Sequence, residues 1–364
     1  MKSIYNSANE RFRGLQQVIH GGDIWNRRKP ASQIIDFSSN VNPLSISHKV
    51  INSIKKNLWR ITLYPDTKYL LLRRTIAEYL DIDKENVVVG NGSTEIIYLF
   101  CEAFLNKGDK VLIPRPTFGE YEIAAKRTGA KVGFFDLDSA FKVAPDKINY
   151  NSKIVFICNP NNPTSTLTPR RTIVEVLNRA KEQDVLVLVD ESFIEFIPKP
   201  KDNTVVSLVR EYPNLFVIRS FTKFFGLTGL RVGYGMGSKE IVDLLNRIKP
   251  PWSVNCLAEV AAVAALHDKG LIKIRHVIAE ERRFLFENLG KIKGFRPVKP
   301  DANFILVDVS SSRLSALDIK QKLLQWNILI RECSSFGLPD HLRIAIRSRK
   351  ENEELVRSLR KIIN

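Results

Sequence analysis

Val185-Leu186-Val187-Leu188-Val189-Asp190-Glu191 places five consecutive apolar residues ahead of two acids. A run without polar alternation reads as a parallel strand buried on both faces. The acids then stand at its carboxyl end, where open α/β sheets bind ligands. Similar strands are expected at Val87 to Val89, Lys110 to Ile113, Lys131 to Phe135, Ile154 to Cys158 and Leu215 to Arg219. Helix-length stretches separate them: Leu70 to Leu80, Thr94 to Phe104, Phe118 to Thr128 and Arg170 to Glu182. This alternation predicts an α/β fold whose mostly parallel sheet is sandwiched by helices.

Further along, one long helical region from about Ala258 to Leu289 is expected to lead into a smaller α/β lobe. Its strands fall near Phe304 to Val307, Ile328 to Arg331 and Leu342 to Ile346, and a helix from Glu351 to Ile363 closes the chain. The division that follows is an N-terminal arm with part of the small domain over 1–60, a large ligand-binding domain over 61–260 and the C-terminal small domain over 261–364.

The 364 residues are 44% hydrophobic, enough for a full enzyme core, and no apolar run approaches a membrane span. The first residues contain no apolar segment, and Glu10 stands among arginines, so a cytoplasmic protein is expected. Cys101, Cys158, Cys256 and Cys333 lack metal-ligand spacing and read as reduced core thiols, and no metal site is expected. The net charge of +17 raises nucleic acid as a partner. Basic residues are nevertheless mixed with acids along the chain, as in Arg349-Lys350-Glu351-Asn352-Glu353-Glu354, which marks solvated helix faces. A field that draws in small anionic ligands is the preferred account.

Four loops at strand ends carry the chemistry. Gly90-Asn91-Gly92-Ser93-Thr94 lies between a strand and a helix start, where backbone N–H groups can cradle a phosphate. Asn159-Pro160-Asn161-Asn162-Pro163-Thr164 follows the Ile154 strand, its prolines fixing the path of a loop rich in amides. Asp190-Glu191 ends the opening run; alone it reads equally well as a turn or capping acid. Ser220-Phe221-Thr222-Lys223 sets a lysine among Phe221, Phe224 and Phe225, with Arg231 shortly after. Desolvation there disfavours the ammonium and favours the free amine that imine chemistry needs.

The order and contexts of Asn162, Asp190, Lys223 and Arg231 resemble pyridoxal-phosphate enzymes of the aspartate aminotransferase fold, from about residue 20 to the C-terminus. The resemblance implies pyridoxal 5'-phosphate as cofactor, held by Lys223 as a Schiff base. Asp190 would pair with the pyridine nitrogen and Asn162 with the ring 3-oxygen. Gly92, Ser93, Thr94, Ser220, Thr222 and Arg231 would surround the cofactor phosphate, and Phe118 would stack on the ring. Tyr64, in Tyr64-Pro65-Asp66, would reach the phosphate of the other subunit of a homodimer.

Within that superfamily the chain resembles the branch of histidinol-phosphate aminotransferase and threonine-phosphate decarboxylase. His20-Gly21-Gly22-Asp23, the segment Asp36 to Pro43, and Phe193 where aminotransferases usually carry tyrosine resemble the decarboxylase. The leading expectation is therefore decarboxylation of L-threonine O-3-phosphate to (R)-1-amino-2-propanol O-phosphate in cobalamin biosynthesis; the alternative is amino-group transfer from histidinol phosphate. By the same resemblance Arg343 would take the substrate carboxylate and Arg331 its phosphate, with His20 and Asn40 completing the grip. Ser165 departs from the glycine usual after Asn-Pro-Thr.

Overall fold

The computed structural model describes residues 9–12, 14–25, 30, 33–44, 46–268 and 270–363. In chain order the strands and α-helices are β1 (Ile35–Asp36), α1 (His48–Lys56), α2 (Leu70–Leu80), β2 (Val87–Gly90), α3 (Gly92–Phe104), β3 (Lys110–Arg115), α4 (Glu120–Thr128), β4 (Lys131–Asp136), β5 (Ile154–Cys158), α5 (Arg170–Lys181), β6 (Leu186–Asp190), α6 (Pro200–Asn203), β7 (Leu215–Ser220), β8 (Gly233–Gly237) and α7 (Lys239–Ile248). Then come α8 (Cys256–Leu266), α9 (Leu271–Leu289), β9 (Arg296–Pro297), β10 (Phe304–Asp308), α10 (Ala316–Gln325), β11 (Ile328–Leu329), β12 (Arg331–Glu332), β13 (His341–Ala345) and α11 (Arg349–Ile363).

Seven strands form the main sheet in the order β2-β8-β7-β6-β5-β3-β4, and only β8 runs against its neighbours. Alternate residues of the central strands enter two cores. Val155, Ile157, Val187, Val189 and Val217 pack on one face, and Ile154, Phe156, Leu188, Phe216 and Ile218 on the other. Both faces are thus removed from water, which is why these strands read as unbroken apolar runs. A four-stranded antiparallel sheet, β12-β13-β10-β9, and a parallel pair, β1 with β11, form the second assembly. Among the described residues no helix is long and apolar enough to cross a membrane.

Three elements differ from expectation. The helical region 258–289 is two helices: the Asn255 side chain caps α8 at the Ala258 N–H, and the Asp268 carboxylate accepts the Gly270 N–H between α8 and α9. Such local side-chain bonds compete with helix continuation. The strand expected over Ile328 to Arg331 is split at Ile330, β11 pairing with β1 and β12 with β13. Strand β8 has no counterpart in the sequence reading, because Gly233-Tyr234-Gly235-Met236-Gly237 carries little strand signal. Its glycines answer to packing: a Cβ on Gly235 would stand 2.4 Å from the Phe216 ring.

Candidate active site

The carboxyl ends of β2, β5, β6 and β7 converge on one cavity of about 930 Å³, closed on the far side by residues from the N-terminal arm and the β12–β13 pair. Of the residues singled out in the sequence, His20, Asn40, Ser93, Thr94, Phe118, Asn162, Asp190, Ser220, Thr222, Lys223, Arg231, Arg331 and Arg343 all line it. Gly92 opens α3 at its edge. Tyr64 lies apart, 79% exposed and stacked on Trp252 at 4.5 Å between ring centroids.

Lys223 is half-buried where it opens on the cavity, in a loop whose neighbours Phe221, Phe224 and Phe225 are buried. Protein packed around its amine, seconded by the positive charges of Arg343 and Arg231, lowers its pKa to about 8, against the pull of Asp190 and Asp36. Asn42 fixes the loop from outside: its N–H donates to the Lys223 carbonyl at 2.9 Å and its Nδ2 to the Phe224 carbonyl at 3.0 Å.

Asp190, 4% exposed, is the last residue of β6. Burial pushes its carboxyl above the usual range, and hydrogen bonds pull it back. Ser192 N–H donates to Oδ1 at 2.9 Å and Tyr121 Oη to Oδ2 at 2.7 Å. Tyr121 is fully buried, stacked on Phe156 and set edge-on to Phe118. Its role escapes the sequence because a tyrosine in an amphipathic helix reads as core.

The residues fit a pyridine phosphate. Gly92 has φ +81°, and a Cβ there would approach Arg231 Nη2 to 2.9 Å, so glycine lets the start of α3 meet the guanidinium. Ser93 and Thr94, in the first turn of α3, and Ser220, Thr222 and Arg231 stand beside the open N–H groups. Arg231 Nη1 is 3.4 Å from Thr222 Oγ1. The cavity-lining Asn40 Oδ1 is buried with no hydrogen-bond partner among the described residues, as is an atom kept for a ligand. Among the described residues no group of His, Cys, Asp and Glu could hold a metal ion.

Arg331 and Arg343, each 6% exposed, are cross-strand partners in β12 and β13. Arg343 donates to Asn162 Oδ1 at 2.7 Å and to the Ser38 carbonyl at 2.5 Å, while Nε has no partner among the described residues. Arg331 donates to the Ile19 carbonyl at 2.7 Å and to Ser335 Oγ at 2.5 Å. Both are buried, and neither makes an ion pair with a carboxylate of the described residues. Ser165 stands in a left-handed turn at φ +64°, and its Oγ accepts the Ala302 N–H at 3.0 Å, tying the Asn162 loop to the second assembly. The hydroxyl thus supplies a contact that the expected glycine could not make.

Aminotransferase class I and II is the family matching the chain, over residues 32–359. The chain is 34% identical over 342 residues to histidinol-phosphate aminotransferase of Moorella thermoacetica, covering 93% of this chain and 87% of the relative. It is 38% identical over 351 residues to a protein of Caldanaerobacter subterraneus with a provisional threonine-phosphate decarboxylase name, covering 94% and 93%. The crystal structure of histidinol-phosphate aminotransferase from Clostridium acetobutylicum matches with TM-score 0.85 and 36% identity, covering 91% of this chain and 99% of that one.

Proposed function

Because the chain belongs to the aminotransferase class I and II family, whose enzymes depend on pyridoxal 5'-phosphate, we propose that it transfers the amino group of a small phosphorylated amine, histidinol phosphate, to an oxo acid such as 2-oxoglutarate. The observation that carries a doubly anionic substrate set is the Arg331–Arg343 pair. Two buried guanidiniums without an ion-pair partner among the described residues are costly, and ligands that bring the anions relieve that cost. In transfer, the phosphate of the amine and the carboxylates of the oxo acid supply the charges in turn. Relatives named as histidinol-phosphate aminotransferases favour this reading over the decarboxylation expected first.

A second reading, loss of carbon dioxide from L-threonine O-3-phosphate, is favoured by Phe193, which lines the cavity without a phenol, and by the relative at 38% identity. That substrate carries both anions itself. The arginine pair suits either chemistry, so products decide. Holoenzyme given histidinol phosphate and 2-oxoglutarate should form glutamate; carbon dioxide from threonine phosphate without an acceptor would establish the second reading instead.

When bound, pyridoxal phosphate supplies an electron sink for a bond at the substrate α-carbon. The chain does the rest. Gly92, Ser93, Thr94, Ser220, Thr222 and Arg231 would hold the cofactor phosphate, and Phe118 would pack on the ring. Asp190, kept in place by Tyr121 and Ser192, would pair with the ring nitrogen, and Asn162, gripped by Arg343, would bond the ring oxygen. Lys223 Nζ, easily deprotonated, carries a proton to and from the reacting carbon. Arg343 and Arg331 would fix the substrate's anions and thereby orient its α-carbon in the cavity.

A homodimer completes this reading. Trp59, Ile61, Leu63 and Tyr64 are each more than half exposed in one stretch beside Trp252. An apolar patch of this kind suits an interface, and across it Tyr64 would serve the partner's site.

A further inference from the structure

Glu120, the first residue of α4, is a buried carboxylate with both oxygens engaged at the edge of the cavity. Tyr98 Oη, from α3, donates to Oε2 at 2.5 Å, and His20 Nε2, from the arm, meets Oε1 at 2.9 Å. Burial opposes its charge, but the bonds from His20 and Tyr98 and the nearby Arg127 outweigh burial and keep its pKa below the ordinary value. The N-terminus of α4 favours the anion further. His20 differs from a core histidine: its side chain is 55% exposed, lines the cavity and leans on Phe118 at 6.1 Å between centroids.

The arm is forced into this position. A Cβ on Gly21 would lie 2.2 Å from the Ser38 carbonyl oxygen, so only glycine allows the close approach. Gly22 N–H donates to Ser38 Oγ at 2.8 Å, and the carbonyl of Ile19 takes a bond from Arg331. His20 is therefore bracketed by contacts that place it at the same end of the cavity as Arg331.

We propose that Glu120 is a positioning residue: its carboxylate accepts from His20 Nε2–H and, as the counter-ion of a doubly protonated ring, turns Nδ1–H to donate to an oxyanion of the substrate phosphate beside Arg331. The Tyr98 bond locks the Glu120 carboxylate in the orientation this requires. The proposal rests on the reading that the cavity takes a phosphorylated amine. It adds a residue that touches no substrate and acts through the imidazole.

The test uses holoenzyme and whichever of histidinol phosphate and L-threonine O-3-phosphate the wild type turns over, each beside its dephosphorylated form. Glu120→Gln should raise KM for the phosphorylated substrate about tenfold, the scale of one charge-assisted hydrogen bond, with kcat within about twofold and no change for the dephosphorylated form. His20→Gln is the second variant. Its amide can still donate to Glu120 and hold the arm but offers no Nδ1, so the same rise in KM is expected, and the double variant should add nothing further. If Glu120→Gln and His20→Gln leave KM for the phosphorylated substrate unchanged, or impair both substrate forms alike, Glu120 merely fastens the arm and the proposal is overturned. A wild type that does not distinguish phosphorylated from dephosphorylated amine defeats the functional reading itself, whatever the variants do.

Discussion

Arg331 and Arg343 stand directly opposite each other across antiparallel β12 and β13, both over the Phe336 ring, at 5.4 and 5.9 Å from its centroid. Like charges facing across a strand pair repel, so this pairing is most comfortable with anions between the guanidiniums and the cavity. Arg331→Lys and Arg343→Lys keep the charge but lose the planar fork. Each should raise KM for the anionic substrate roughly 10- to 100-fold, as measured by steady-state kinetics, with cofactor absorbance retained. Unchanged KM in both would remove the pair from substrate binding.

The Lys223 amine titrates near pH 8, below its ordinary 10.5. Cofactor capture needs the neutral amine, so apoenzyme mixed with pyridoxal phosphate should gain visible absorbance faster as pH rises, levelling off above about 8. Linkage has the same sign. The unfolded chain holds the Lys223 proton up to pH 10.5 and the folded chain releases it near 8, so this group makes the apoenzyme more stable between those values as pH increases. Stopped-flow absorbance from pH 6.5 to 9.5 checks the first expectation; a rate falling with pH would count against it.

Tyr121→Phe removes a hydrogen bond that opposes the rise which burial imposes on the Asp190 carboxyl. The Asp190 pKa should rise, its carboxylate should hold the ring nitrogen less well, and kcat should fall about tenfold at neutral pH, the scale of one hydrogen bond to a charged group. KM should barely move, since the Tyr121 hydroxyl bonds Asp190 rather than either arginine that takes the substrate's anions.

Ser165 offers a stability test. Ser165→Ala keeps the left-handed backbone yet strips the acceptor from the buried Ala302 N–H, a loss of about 1–3 kcal/mol. Ser165→Gly loses the same bond but relieves about 1–2 kcal/mol of backbone strain. Thermal unfolding should therefore rank wild type and Ser165→Gly above Ser165→Ala.

Ile61→Glu should expose the dimer proposal. A charge in the exposed Trp59 to Tyr64 stretch would split a homodimer, and sedimentation should show the monomer with weakened cofactor retention. A wild type that sediments as a monomer would contradict the assignment of Tyr64 to a partner's site.

Much of this was legible in the sequence for a physical reason. Strands such as Ile154–Cys158 and Leu215–Ser220 are buried on both faces, so apolar side chains mark them residue by residue, while β8 packs through the absence of side chains and leaves almost no trace. The loop residues Asn162, Asp190, Lys223 and Arg231 stood out through their order along the chain, and they line one cavity. Glu120 and Tyr121 did not, because an acid in a first helical turn and an aromatic on a buried helix face are ordinary in any helix. Their partners, His20 and Asp190, lie 100 and 69 residues away, a separation that no local pattern reports.

Lys249 sharpens the central claim that Lys223 is the cofactor lysine. Burial also brings its pKa down to about 8, but its Nζ donates to the Val89 carbonyl and rests on the Tyr69 ring, and it does not line the cavity. Borohydride reduction of the holoenzyme followed by peptide mass mapping tests the assignment directly. The account predicts a phosphopyridoxyl group on the peptide containing Lys223 and none on the peptide containing Lys249; the reverse, or no labelled lysine, would contradict it.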